Sequence, residues 1–474
     1  MSLPRTAANP LVYTHGYYEI LSPGVIAAAL ASRGLRAPDL QAPLCYFELG
    51  MGFGVSLLAN AAAFPHMRFF GNDFHPAHVA HARGLARDAG LENVELFEDG
   101  FDVLPDRDLP MMDCIVMHGV YSWISPALRQ SIVRFIERRL RPGGVVYVSY
   151  NALPGWAPLL PLRELFHLHA GRVAERGAGT DAAGQLQGAL DFIQRLADCG
   201  EGGYLQAHPA VARRLAHARA DGPHYALHEY VGPDSHPLYF HQVAQELAGA
   251  GLQFAVPALL AEQVDAACLP AELAALLASI HDPVLRETLR DYGLDRSFRR
   301  DLFVRGPEPL APAEAERCLL DQEWILAVPR GAVPDGAALR LVSQWLGEAA
   351  CGALLDAVCA APVPLRAVML QPPLAGVPAR TVHDALMLLA SSNAVMPALP
   401  AALRRGARAS VQGFNAAVLE RGGADGTRHL VCGASGLASE WTPETLRQLR
   451  EALRHGGPAG IAQRAPWLAR LEVV

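Results

Sequence analysis

Between residues 42 and 150 the chain alternates short apolar runs, rich in β-branched and aromatic residues, with stretches whose apolar positions recur every three or four residues. Runs of the first kind suit strands buried on both faces, and stretches of the second kind suit helices that cover them. The segment therefore reads as a parallel sheet with helices on its faces. Strands are predicted at Cys45–Leu49, Arg68–Asp73, Val94–Asp99, Asp113–Gly119 and Val145–Tyr150. Helices are predicted at Val55–Ala63, Ala77–Ala89 and Arg129–Leu140. The last carries Ile132, Phe135, Ile136 and Leu140 on one face and is ended by Arg141-Pro142-Gly143-Gly144.

Past residue 158 the pattern changes. Leu159 to about Ala220 is helical, with Gly/Ala-rich turns at Gly177–Gly184 and Gly200–Gly203, and a mixed segment follows over 221–305. Pro307–Glu316 reads as a linker. Helices are expected at Leu339–Ala360 and Val382–Ser391, and another starts at Thr442-Pro443, with Thr as N-cap and Pro in the first turn. A chain of 474 residues exceeds what one core serves. The shifts divide it into an N-terminal segment over 1–40, an α/β unit over 41–158, a mostly helical unit over 159–306 and a C-terminal unit over 307–474.

A net charge of −7 argues against electrostatic capture of nucleic acid or of an anionic membrane. All 40 basic residues other than His are Arg, so the chain contains no lysine. A GC-rich genome accounts for that bias. Eight Cys are scattered without C-x-x-C spacing, no His/Cys/carboxylate cluster has metal-ligand spacing, and no metal is expected. The start, MSLPRTAANP, is not a secretory signal, and the most apolar stretches are broken by acids. A reduced, cytoplasmic protein without membrane insertion is expected.

The chemistry concentrates in Glu48-Leu49-Gly50-Met51-Gly52-Phe53-Gly54, between a predicted strand and helix. Glycines at 50, 52 and 54 allow a tight turn and close approach to a ligand. G-x-G-x-G with a leading acid, and Asp73 at the end of the next strand, resemble the cofactor loop of class I S-adenosylmethionine-dependent methyltransferases. The NAD fingerprint is spaced G-x-G-x-x-G. In that fold Asp73 would hold both ribose hydroxyls and Glu48 would brace the loop. The competing reading makes Asp73 an acid at a helix start. At the third strand's end the adenine is held either by Asp99 or by backbone N–H groups and an aromatic face around Gly100 and Phe101. Met51, Phe74 and His118 complete the cofactor candidates.

After the fourth strand comes His118-Gly119-Val120-Tyr121-Ser122-Trp123, which lacks the [DNS]-P-P-[YF] motif of adenine and amide N-methyltransferases. After the fifth comes Tyr150-Asn151-Ala152-Leu153-Pro154-Gly155-Trp156. Both loops leave strand carboxyl ends, where ligands bind in open α/β sheets. Tyr121, Trp123 and Asn151 are candidates to align the acceptor, and Tyr150 and Trp156 to line its pocket. Simple packing is the alternative for each aromatic.

HGVYSW, LRPGGVVYVSYNALPGW and LHEYVGPDSHPLYFHQVAQELAGAGLQF are similar to methyltransferases that carry a methyltransferase regulatory domain. That group includes rickettsial protein-lysine methyltransferases acting on outer-membrane protein. The resemblance covers roughly Val12–Gly306. It implies a Rossmann-like domain, a mostly helical regulatory or substrate domain and a C-terminal winged-helix-like α/β region, with an N-terminal segment placing Tyr17 and Tyr18 over the cofactor. Met51 stands where Cys is common in the rickettsial proteins. His228, Glu229 and Tyr239 belong to polar-aromatic clusters of the second unit, read either as a cap over the acceptor site or as a buried network joining the units. The function implied is methyl transfer to a protein lysine. The alternatives are a small-molecule or glycan-precursor acceptor, with the extra units serving a homodimer, and a non-catalytic cofactor sensor.

Overall fold

The computed structural model describes residues 15–175, 182–199, 203–209, 211, 215, 235–423, 425–464 and 466–473. Seven strands form its central sheet: β1 Cys45–Leu49, β2 Arg68–Asn72, β3 Val94–Phe97, β4 Met112–Met117, β5 Leu140–Asn151, β6 Leu252–Pro257 and β7 Phe298–Arg305. Their spatial order is β3-β2-β1-β4-β5-β7-β6. β1 to β5 run parallel, and β7 runs antiparallel to both β5 and β6. β1 is buried at all five positions because it sits mid-sheet, covered on both faces.

Helices α1 Pro23–Ala31, α2 Val55–Ala63, α3 Pro76–Asp88 and α4 Pro126–Arg139 flank the sheet. One core joins Leu57, Leu58 and Phe69 to the C-terminal region, and a second packs Phe47, Phe70, Ile132 and Phe135 with Phe240. α4 starts earlier than its apolar face suggests, because Ser125 caps it and Pro126 occupies its first turn. β3 stops at Phe97, two residues short of the predicted end. There β2 has run out of partners, its last pair being Asn72 with Phe97.

The unit expected to be mostly helical contributes β6 and β7 to the same sheet, so the expected boundary near residue 158 is not an edge of the sheet. Helices at Leu160–Glu175 and Ala182–Asp198 follow the expected pattern except that the second starts inside the turn expected at Gly177–Gly184, and Trp156, Leu162, Phe166, Leu190 and Ile193 make a separate small core. The linker predicted over Pro307–Glu316 is half helical, since a helix begins at Pro312. The helix expected at Leu339–Ala360 is two, Ala337–Leu346 and Glu348–Ala357, parted at Gly347 with φ of 83°. Thr442 does cap the helix after it, its hydroxyl accepting from Thr445 N–H at 3.2 Å. The C-terminal region is α/β, with a three-stranded and a two-stranded antiparallel sheet. Its helix Ala401–Arg421 buries Leu403, Ala407, Val411, Phe414 and Val418, an apolar stripe at helical spacing, and packs on α2. Among the described residues no helix is long and apolar enough to cross a membrane.

Candidate active site

The strand order reverses at β1, which pairs β2 on one side and β4 on the other. Chain leaving β1 and chain leaving β4 therefore diverge, and the crevice between them is where open α/β sheets bind ligands. The Gly-rich turn leaves β1 into that crevice. Gly50, Gly52 and Gly54 have φ of 68°, 56° and 73°, a region L side chains rarely adopt. At Gly50 space is limiting too: a Cβ there would lie 2.7 Å from Val120 Cγ2. Gly54 N-caps α2 with no side-chain hydrogen bond.

The turn is held from β2. Asn72 Oδ1 accepts from Gly50 N–H at 3.4 Å, its Nδ2 donates to the Asp99 carbonyl at 2.9 Å, and Asn72 O accepts from Met51 N–H at 3.0 Å. Asp73 Oδ2 accepts from Gly52 N–H at 3.0 Å. Its Oδ1 accepts from His75 N–H at 2.8 Å and lies 3.2 Å from His78 Nδ1. Asp73 does not cap α3; His75 does, accepting from Ala77 N–H. Asn72 and His78 are not among the residues expected from the sequence, although an amide beside an acid at a strand end was a readable signal.

Glu48 does not brace the turn as expected. Its side chain is buried, its Oε2 has no hydrogen-bond partner among the described residues, and burial pushes its carboxyl up to about 8. A buried acid with an unpartnered oxygen, separated from the glycine turn by Leu49 alone, fits a ligand that brings its own cation, as the ammonium of S-adenosylmethionine would.

On the β4 side, His118 Nδ1 lies 2.8 Å from Tyr147 Oη and 3.2 Å from Ser149 Oγ, while Ser149 Oγ accepts from Gly119 N–H at 2.8 Å. Burial, seconded by the charge of Arg300, lowers His118 to about 3, so the ring is neutral. The Tyr18 ring lies 3.8 Å from the His118 ring, and Tyr18 N–H donates to Ser56 Oγ on α2 at 2.9 Å. The N-terminal segment thus crosses from α2 to the end of β4. Tyr17 packs instead toward His429 of the C-terminal region.

Other expected residues go elsewhere. Asp99 is taken by an ion pair with Arg107. Phe101 packs against the turn, 3.4 Å from where a Gly50 Cβ would stand, while a Cβ on Gly100 would lie 2.6 Å from Asp102 Oδ1. Phe74 is 66% exposed. Tyr121 is fully buried, donating to Glu246 at 2.6 Å, and Tyr150 donates to Asp301 at 2.8 Å inside a buried cluster of Arg299, Asp291 and Glu287. Trp156 is core. Among the described residues these three make interior contacts: the Tyr121 and Tyr150 hydroxyls tie the ends of β4 and β5 to the helix behind and to β7, and Trp156 packs in the small core with Leu162, Phe166 and Ile193. Trp123 is half-buried, and Asn151 is buried with Nδ2 unpartnered among the described residues. Tyr239 stacks near Tyr292, with 6.1 Å between ring centroids. His228 and Glu229 lie outside the described residues. A cavity of about 770 Å3, lined in part by Arg33, Asp265, Arg380 and Asp384, shares no lining residue with this constellation.

This sheet order, with a glycine turn after the first strand and a carboxylate after the second, defines a class I S-adenosylmethionine-dependent methyltransferase. Residues 47–146 match the family described as "Methyltransferase domain", and 222–305 the one described as "Predicted methyltransferase regulatory domain". The uncharacterized protein sll1526 of Synechocystis sp. is 34% identical over 406 residues, covering 86% of this chain and 79% of that one. The uncharacterized protein RP789 of Rickettsia prowazekii is 25% identical over 60% of this chain and half of its own length. A solved structure, PKMT2 from Rickettsia typhi in complex with AdoHcy, has a TM-score of 0.68 at 20% identity, covering 93% of this chain and 88% of that chain. The chain belongs to the family of methyltransferases that carry this regulatory domain, and its cofactor is S-adenosylmethionine.

Proposed function

We propose that the chain transfers the methyl group to a lysine amine of another protein. The observation that carries this reading is the extent of the likeness to rickettsial PKMT2, which runs through the accessory units and not the catalytic sheet alone. A small acceptor needs no such additional surface, whereas a protein substrate must be held over the crevice.

Bound S-adenosylmethionine supplies a methyl group activated on a sulfonium. The chain's own contribution is alignment. Asp73 and the Gly50–Gly54 backbone hold the ribose and methionine ends, and Glu48 pairs the ammonium. Tyr18 closes the cleft. An amine attacks only as the free base, and the burial and nearby Arg300 charge that keep the His118 ring neutral would disfavour a protonated lysine there as well. Asn151, at the carboxyl end of β5 with its Nδ2 donor unpartnered among the described residues, is the candidate to orient it. Labelled S-adenosylmethionine incubated with host lysate tests the reading: label is expected in protein, on lysine. Label confined to a small-molecule fraction would replace it with the reading of a small-molecule or glycan-precursor acceptor.

A further inference from the structure

The C-terminal region reaches the cofactor turn through a hydrogen-bonded histidine, and that contact does not depend on what the acceptor is. His81, on α3, is nearly buried between two units. Its Nδ1 lies 3.3 Å from the carbonyl oxygen of Phe53, the residue between Gly52 and Gly54. Its Nε2 lies 3.2 Å from Asp425 Oδ2 and 3.2 Å from Thr427 Oγ1, both from the turn after helix Ala401–Arg421. Asp425 is itself fixed, accepting from Thr427 N–H at 3.0 Å and from Arg421 Nη1 at 2.8 Å. The Phe53 ring is clasped as well: His15 stacks on it at 3.7 Å, and His78 and His81 lie 4.5 and 5.1 Å away. Gly426 runs so close to His15 that a Cβ would fall 2.4 Å from its Nδ1. N-terminal segment, cofactor turn and C-terminal region therefore meet at Phe53.

A three-glycine turn has little conformational preference of its own, so its shape must be imposed from outside. Asp73 and Asn72 impose it at Gly52 and Gly50; among the described residues it is His81 that meets the Phe53 carbonyl. We propose that His81 and Asp425 form a positioning pair that holds the cofactor turn in its binding shape, making the C-terminal region part of the cofactor site. Neither residue is a catalytic one. The pair acts by preorganisation, so that less ordering is left for the cofactor to impose when it binds.

The test is calorimetric titration of the full-length chain with S-adenosylhomocysteine, which reads binding without turnover. Asp425→Ala and His81→Ala should each weaken binding about five- to tenfold, as loss of one ordinary hydrogen bond implies. The double variant should be no weaker than either single one, since both break the same link. Asp425→Asn, which keeps an acceptor toward His81, should recover most of the affinity. Asp88→Ala removes the Arg421–Asp88 ion pair at the far end of α3, and with it a docking contact of the same two units, but should leave affinity within twofold. Wild-type affinity in His81→Ala, or in a folded Asp425→Ala, would overturn the proposal. So would an equal loss in Asp88→Ala, because that would reduce the contact to general docking. If Asp425→Ala fails to fold, the isosteric Asp425→Asn and His81→Ala still decide between these outcomes.

Discussion

The two sides of the crevice are built on different terms. On the β1–β2 side residue identity follows from backbone geometry: three glycines at positive φ, two of them with no room for a Cβ, and a carboxylate within reach of the turn. On the β4–β5 side identity follows from interior packing. Tyr121 and Tyr150 stand at strand ends as acceptor-site aromatics would, yet their hydroxyls serve Glu246 and Asp301. Where a residue is chosen because no other fits the main chain, its role can be read along the chain. Where several residue types fit, the role is set by partners more than a hundred residues away.

The sharpest way to break that contrast is at Gly52, where φ is 56°. Gly52→Val puts a β-branched side chain in a region it rarely adopts and should abolish cofactor binding by calorimetry, with the far-ultraviolet circular dichroism unchanged. Asp73→Ala is milder, costing about 1.5–3 kcal/mol of cofactor affinity for the charge-assisted hydrogen bonds lost. Wild-type affinity in Asp73→Ala would remove the ribose assignment.

Glu48 gives two effects of opposite sign. Its carboxyl is raised from 4.5 to about 8 in the free protein, so the folded state holds the proton more tightly than the unfolded chain. Folding therefore loses stability as pH rises from about 4.5, by roughly 1.4 kcal/mol per unit, and the loss levels off above about 8. Glu48→Gln is free of this penalty. Without cofactor its melting temperature should match wild type near pH 4 and exceed it by a growing margin up to pH 8, while its cofactor affinity at pH 8 should fall. Identical stability profiles for the two proteins would show that the acid is already partnered.

A smaller effect is expected on the other side. Tyr150→Phe removes one of the donors to Asp301 while Arg299 keeps its two. It should lower stability by about 1–2 kcal/mol and leave cofactor affinity unchanged. A loss of turnover per folded molecule, with stability intact, would return Tyr150 to the acceptor site.

Along the chain, the first five strands, the turn and Asp73 were legible because strand periods, glycines and a strand-end acid are local signals. β6 and β7 were not. Val145–Val148 and Asn151 find β7 partners at 298–304, and nothing near Phe298 announces a sheet more than a hundred residues upstream. The helix Ala401–Arg421 was readable from its stripe of Leu403, Ala407, Val411, Phe414 and Val418, but glycines at 406 and 413 and a run of arginines mask it. That helix carries the region that reaches His81, so the least legible element touches the most legible one.

The smallest effect expected anywhere is zero, and it bears on the side the sequence leaves open. Protein-lysine methyltransferases incubated alone can modify their own lysines, which lie at high effective concentration around the crevice. This chain carries no lysine, so an enzyme restricted to the ε-amine finds no side-chain acceptor on itself or on a second copy. Intact-mass measurement after overnight incubation with S-adenosylmethionine should show no internal gain, the N-terminal amine being the one amine present. Peptide mapping of any added methyl group then discriminates. A methyl on Arg, His, Cys or a carboxylate would mean that the crevice accepts a nucleophile other than the lysine amine, and that the neutral His118 and the nearby Arg300 do not select for one. An unmodified chain beside methylated lysine in a lysate protein is the pair of results that a crevice tuned to a neutral lysine requires.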